Sequence, residues 1–345
     1  MSQDRSRTSR EVVTAVRRLL VTTTALVLAA ACTPTGTSVA EQTAESVRAG
    51  EPGTTGSAAP AASPTRRQAF LEPVPADPVL DQRSDRIAAH LGAGPWSANV
   101  TEYGVPVYDA DGAPLRDVEC LRDWGHCRLE AAPVPVPDDA APSTGTDAAM
   151  AVVDRRRGTS YEFWQVRRDG PSTWVTSWGD VVDLSPDVPS VSSATGAGLG
   201  LVDGLVTPQE IASGTIRHAL VFSTDNACAG DSRAPATKTD GTSDRDDCIP
   251  QGARVQLDPA VDLSAIDGLS PGELAVGRAL QQYGAYARDN GGTPVALIFQ
   301  TPAHGDDRLA RAGLAADYDR LAGLPWDRLR VLASWDGGPP ASAGR

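Results

Sequence analysis

Six consecutive residues, Tyr161-Glu162-Phe163-Trp164-Gln165-Val166, set a carboxylate two positions from an indole. On an extended strand alternate side chains share a face, so Glu162, Trp164 and Val166 point one way and Tyr161, Phe163 and Gln165 the other. The next run carries Trp174, Thr176 and Trp178 at the same period. A two- or four-residue turn at Arg168–Pro171 would pair Phe163 with Thr176 and Glu162 with Ser177. Glu162 then shares a face with Trp164, Val175 and Ser177, while Tyr161, Phe163, Trp174 and Trp178 share the other; an odd turn length undoes this grouping. An acid beside an indole on a sheet face suits sugar recognition, because the ring stacks while the acid hydrogen-bonds or moves a proton. Glu162 equally fits a solvated outward face, or an ion pair with one of Arg155–Arg157.

Other residues carry chemistry at lower local density. His218 falls at strand period with Ile216, Leu220 and Phe222, which suits either a hydrogen-bonded core histidine or an acid/base group at a cleft rim. Tyr286 and Arg288 alternate just before Asp289-Asn290-Gly291, and Asn-Gly predicts a hairpin turn. A lyase that removes a sugar C5 proton needs a Tyr or His base with Arg or Asn to neutralise the adjoining carboxylate, and Tyr286, Arg288, Asn290 and His218 would supply that set if the fold gathered them. Asp147 and Asp154 flank Met150-Ala151-Val152-Val153, and either is a possible second carboxylate for glycoside hydrolysis or simply a strand end. The candidates are therefore Glu162, His218, Asp154, Tyr286 and Asp289 for catalysis and Trp164, Arg288 and Asn290 for substrate binding.

The Tyr161-Glu162 step ahead of an aromatic resembles the nucleophile strand of the small jelly-roll endoglucanases, over about six residues and with no matching second-carboxylate motif near the C-terminus. The stretches 206–220 (VTPQEIASGTIRHAL), 252–259 (GARVQLDP) and 282–292 (QYGAYARDNGG) are together similar to a class of large secreted bacterial domains of unassigned function. That resemblance implies one extracellular domain and transfers no site residue.

The elements that must position these groups are short. Strand-like runs lie near 104–108, 149–154, 159–167, 172–182, 216–223, 252–257, 285–289, 294–300 and 328–334. Helices are expected within 81–91, over 270–283 behind a Ser270/Glu273 capping box, and over about 306–321. Many strands and few helices, with 33 Gly and 27 Pro, predict an all-β, jelly-roll-like β-sandwich carrying two or three short peripheral helices. Residues 131–146 read as a long loop within one domain.

Several chemistries lack their supports. GxxxxGK[ST], a complete GxGxxG, HExxH and GxSxG are all absent, so nucleotide binding, zincin proteolysis and α/β-hydrolase catalysis are not indicated. Asp240, Asp244, Asp246 and Asp247 crowd one loop without EF-hand spacing, which reads as a solvated acidic loop. No cofactor and no metal is implied. The 345 residues carry a net charge of −13, and Lys238 is the one lysine among 31 basic residues. A chain this acidic is a poor nucleic-acid ligand.

The N-terminus reads as an export signal: a head with Arg5, Arg7, Arg10, Arg17 and Arg18, then the uncharged stretch 19–31, too short to span a bilayer. Leu28-Ala29-Ala30-Ala31-Cys32 resembles a bacterial lipobox with its leucine one place early, which implies lipidation at Cys32; ordinary cleavage nearby would instead release the protein. The expected organisation is a signal peptide (1–31), a Thr/Ala/Ser/Pro/Gly-rich tether (32–78), one domain (79–336) and a disordered tail (337–345). The four remaining cysteines are expected to pair locally as Cys120–Cys127 and Cys228–Cys248, with zinc a poor alternative. The whole suggests an exported, surface-anchored glycoside hydrolase or polysaccharide lyase acting on an extracellular glycan. The alternatives are a non-catalytic glycan-binding module and a structural lipoprotein of the cell envelope.

Overall fold

The computed structural model describes residues 63–340. The expected signal peptide, Cys32, the first part of the tether and the last five residues lie outside them. In chain order the strands are β1 (Trp96–Asn99), β2 (Val107–Asp109), β3 (Leu115–Cys120), β4 (Val134–Pro135), β5 (Met150–Asp154), β6 (Thr159–Arg168), β7 (Thr173–Asp183), β8 (Leu220–Thr224), β9 (Ala227–Ser232), β10 (Ile249–Gln251), β11 (Arg254–Leu257), β12 (Ala285–Asn290), β13 (Val295–Ile298) and β14 (Leu329–Val331). The α-helices are α1 (Ser84–Gly92), α2 (Pro208–Ser213), α3 (Pro271–Gln282) and the single turn α4 (Arg308–Arg311).

The body is rich in strands with few short helices, and its sheets are mixed. One six-stranded sheet runs β1-β13-β8-β12-β11-β14 and a second runs β2-β5-β6-β7-β3-β4; β9 and β10 form a separate pair. The pairs β1–β13, β8–β12, β2–β5 and β3–β7 are parallel, whereas a jelly roll is built from antiparallel Greek keys.

Packing follows the strand period. On β13, Val295 and Leu297 join a core with α1, α2 and α3, while Ile298 joins another with Val221, Tyr286, Leu199 and Leu201. Ala149, next to β5, and Ala151 on it also enter that second core, so it binds the sheets to each other; Met150 and Val152 face a third core with Leu129, Val134, Val136, Phe163 and Trp174. The segment 131–146, expected as a loop, thus supplies Val134 and Val136 as cover for the outer face of the second sheet.

Helix α3 forms as its sequence dictates. The Ser270 hydroxyl accepts the Glu273 N–H (3.1 Å), and the Glu273 carboxylate accepts the Ser270 N–H (2.9 Å). The helix expected over 306–321 shrinks to α4. Gly313 turns left-handed at φ 81°, and the following carboxylates capture backbone amides instead. Asp317 accepts the N–H groups of Val100 and Glu102, and Asp319 those of Ala315 and Leu321. The hairpin expected at Asp289-Asn290-Gly291 is also replaced. β12 and β13 flank β8 rather than each other, and the connection crosses the end of β8, with Gly291 N–H on Thr224 and Asp225 N–H on Thr293.

The domain begins earlier than expected. A helical turn at Arg67–Leu71 buries Phe70 to 2% exposure against Tyr286 (ring centroids 5.4 Å apart). Arg66 is buried too, pairing with Asp203 and donating to the Asp183 carbonyl (2.8 Å). Residues 66–72 therefore belong to the body. Phe70→Ala is expected to cost about 3 kcal/mol, as large core truncations do, read as a lower denaturant midpoint at unchanged slope. An effect below about 0.5 kcal/mol, typical of exposed sites, would return this segment to the tether.

Candidate functional site

The five residues that separate the paired Arg168 and Trp174 decide which groups meet. They set Trp164 opposite Trp178 and Glu162 opposite Asp180. The expected pairing of Glu162 with Ser177 required an even turn, and three residues of shift move Glu162 off that partner. Gln165, at φ 53°, kinks β6, and its N–H donates to the Asp147 carbonyl (2.7 Å).

Trp164 and Trp178 then stand together, and Trp124 joins them with ring centroids at 5.9 Å and 5.7 Å. Trp124 comes from the loop closed by the Cys120–Cys127 disulfide; the second disulfide is Cys228–Cys248. Trp124 is 60% exposed, whereas the other two indoles are held by donated bonds: Trp164 Nε1–H to Asp147 (3.4 Å) and Trp178 Nε1–H to Ser193 Oγ (3.0 Å).

These indoles wall a cleft of about 900 Å³ between the two sheets. Its floor holds Asp147, Asp240 and Asp289, with Arg288, Asn290 and Lys238 beside them. Asp289, at the end of β12, accepts the Gly196 N–H (2.5 Å) and the Arg288 Nε–H (3.0 Å). Arg288 also donates to the Leu201 carbonyl (3.0 Å). Asp240 takes a bond from Gln251 Nε2 (2.6 Å), and a Cβ on Gly196 would overlap its carboxylate, so only glycine lets the two approach. A shallower hollow of about 430 Å³ continues past Lys238 and Trp124 toward Asp180 and Val191.

The floor is electrostatically crowded. Partial loss of hydration raises the Asp147 carboxyl above the usual carboxylate range, and the charges of Asp289 and Asp240 add to this against the Trp164 bond and Arg288. Asp240 opens to the cleft, yet loss of hydration among its walls, reinforced by Asp289, raises it as well. Lys238 is lowered by its own loss of hydration, against the pull of Asp289 and Asp240, and it donates to the Ser193 carbonyl (3.1 Å). The site thus combines two carboxyls raised by lost hydration, Asp147 and Asp240, with a third, Asp289, hydrogen-bonded to a guanidinium.

Of the residues singled out from the sequence, Trp164, Arg288, Asp289 and Asn290 line the cleft. The others are elsewhere. Glu162 is wholly buried, accepting the Leu201 N–H (2.8 Å) and the Val202 N–H (3.4 Å). His218 precedes β8 and pairs with Glu210 (3.0 Å); burial opposes its charge, but that carboxylate outweighs it and raises the imidazole. Tyr286 is wholly buried and donates to the Ala69 carbonyl (2.9 Å), its hydroxyl pushed up to about 12 by burial. Asp154 closes a turn by accepting the N–H groups of Arg156 and Arg157 (3.0 Å each). The set expected for elimination is therefore not gathered, since Tyr286 and His218 lie apart from Arg288 and Asn290.

Asp240, Trp124, Trp178 and Lys238 were missing from the candidates, and Asp147 read equally as a strand end. The single lysine in an arginine-rich chain was a signal available in the sequence. The acids come from loops with no periodicity to mark them. Among the described residues no group of three or more His, Cys, Asp or Glu is arranged to hold a metal ion, and no helix is long and apolar enough to cross a membrane. Comparison with protein families, with curated proteins and with solved structures returns no match.

Glu162 makes a direct prediction. Burial pushes its carboxyl up to about 7, with the Ser192, Leu201 and Val202 bonds opposing and Asp203 reinforcing. The folded state then holds this proton more tightly than the unfolded chain, so stability is fullest below the ordinary value of 4.5 and falls as pH rises to about 7. The loss is of order 3 kcal/mol. Glu162→Gln is expected to flatten this decline in denaturant unfolding across that range; a variant retaining the full slope would assign it to other groups.

Proposed function

We propose that the protein is an exported, carbohydrate-active enzyme that hydrolyses glycosidic bonds in the cleft between its sheets. The observation that carries this reading is the three-indole wall standing over a floor of three carboxylates, one of them hydrogen-bonded to a wall indole. Indole faces match the apolar faces of sugar rings, and paired carboxylates in unlike environments do acid/base work on glycosidic oxygen. A sandwich-like meeting of the two sheets is part of the reading, because the groove at their junction is where a polymer enters.

In this reading Asp147, whose carboxyl is shifted upward, protonates the leaving oxygen. Asp289, held by Arg288 and Gly196, supplies a fixed negative charge to the positive anomeric carbon. Asp240 takes the proton of the attacking water, so the water's oxygen joins the anomeric carbon and both protons are accounted for. Hydrolysis is favoured over elimination because neither Tyr286 nor His218 reaches the cleft. Export rests on the signal-like N-terminus and accords with two disulfides, which persist in oxidising compartments. Lipidation at Cys32 would hold the domain to the outer membrane face, with the glycan or cell envelope as its partner.

The test incubates the purified protein with a panel of cell-wall and plant polysaccharides and measures new reducing ends. Asp147→Asn and Asp289→Asn are each expected to lower turnover by at least about a hundredfold, the usual worth of an acid/base group. Activity is expected to fall as pH rises and Asp147, whose carboxyl is shifted upward, loses its proton. Turnover that survives both substitutions would overturn the assignment. Trp124→Ala is expected to weaken retention on the same polysaccharide about tenfold, in line with a lost aromatic contact of 1 to 1.5 kcal/mol. Retention without turnover would mark a binding module, and neither would leave an envelope scaffold.

A further inference from the structure

The acids occupy one end of a longer track. Asp289 pairs with Ser223 on β8, Ser223 with Ala296 on β13, and Ala296 with Ser97 on β1. Residues in one register row share a face, and all four line the cleft. The row continues past β1, because the antiparallel bridge Ala98–Asp319 sets Arg320 beside Ser97. Four steps at the usual strand spacing separate Asp289 from Arg320 by roughly 19 Å. Between them rise only serine, alanine and serine side chains, so the row is a trough.

Its far end has its own furniture. Tyr318 lines it with Arg320. Trp96, next to Ser97 on β1, turns to the other face, where it stacks on Trp326 (5.6 Å) and donates its indole N–H to the Leu91 carbonyl (2.9 Å), so it backs this end of the sheet. The neighbouring acids are engaged elsewhere: Asp317 and Asp319 accept backbone amides, and Glu102 accepts the Tyr318 hydroxyl (2.6 Å). Arg320 is exposed and without an ion pair among the described residues. The cations at the acid end are occupied, Arg288 by Leu201 and Asp289 and Lys238 by Ser193. A planar guanidinium with open donors selects carboxylate or sulfate oxygens.

We propose that the Tyr318–Arg320 end is a binding subsite for an anionic sugar, so that the trough takes an internal stretch of an acidic polysaccharide and presents a more distant linkage to Asp289. This rests on the glycan-hydrolase reading and adds the substrate class. The net charge of −13 opposes a polyanion at long range, so selection for acidic chains falls to this local cation.

The experiment measures retardation of the full-chain protein in affinity gels. The gels contain polygalacturonate, alginate or hyaluronan as carboxylated polymers, carrageenan as a sulfated one, and xylan, mannan or β-glucan as neutral ones. Stronger retention is expected on at least one anionic polymer, and which arm responds identifies carboxylate or sulfate as the group held. Arg320→Gln is expected to weaken that retention at least about tenfold, the loss of one charge-assisted contact, with unchanged melting. Arg320→Lys should restore part of it. Retention led by neutral polymers, or indifferent to Arg320→Gln, would overturn the subsite and leave the glycan reading standing. Retention on none of them would overturn both.

Discussion

A relay through the backbone of one residue, Leu201, ties the two sheets to the cleft. Glu162, on the second sheet, accepts the Leu201 N–H; the carbonyl of Leu201 accepts Arg288 from β12 of the first sheet, and Arg288 holds Asp289. A buried carboxylate is costly unless several donors converge on it, and here the donors are backbone amides of the segment between β7 and α2. That segment also supplies Ser193, Ala194, Thr195 and Gly196 to the cleft. The shape of the floor is thus set by where one carboxylate finds its hydrogen bonds.

The relay also explains why the segment needs its glycines. Gly196 admits the Asp240 carboxylate, and Gly198, at φ 76°, closes the turn in which the Gly198 N–H reaches the Thr195 carbonyl (3.2 Å). Asp203 adds a second anchor through Arg66 and Ser190. A loop of this length would ordinarily be mobile. Here it is stitched on one side to a sheet strand and on the other to the first helical turn of the domain.

Much of the framework was legible in the sequence. The alternation over 149–183 marks β5, β6 and β7 closely, and the Ser-Pro-x-Glu start of α3 and both cysteine pairings follow from local rules. What escaped was set at a distance. Glu162 read as a catalytic acid beside an indole or as a solvated one, because its burial depends on a loop some forty residues downstream. Asp147 and Asp240 sit in irregular segments, where no period indicates direction. The Asn-Gly hairpin signal at 290–291 lost to a tertiary demand, the insertion of β8 between β12 and β13.

Arg66 and Phe70 bear on mechanics as well as on packing. Any tension applied to the chain ahead of residue 63 arrives first at these two side chains. Phe70 lies in the core shared by the sheets, and Arg66 grips Asp203, close to the peptide that Glu162 holds. A pull on the leading end therefore loads the scaffold behind the floor before it reaches the bulk of the domain.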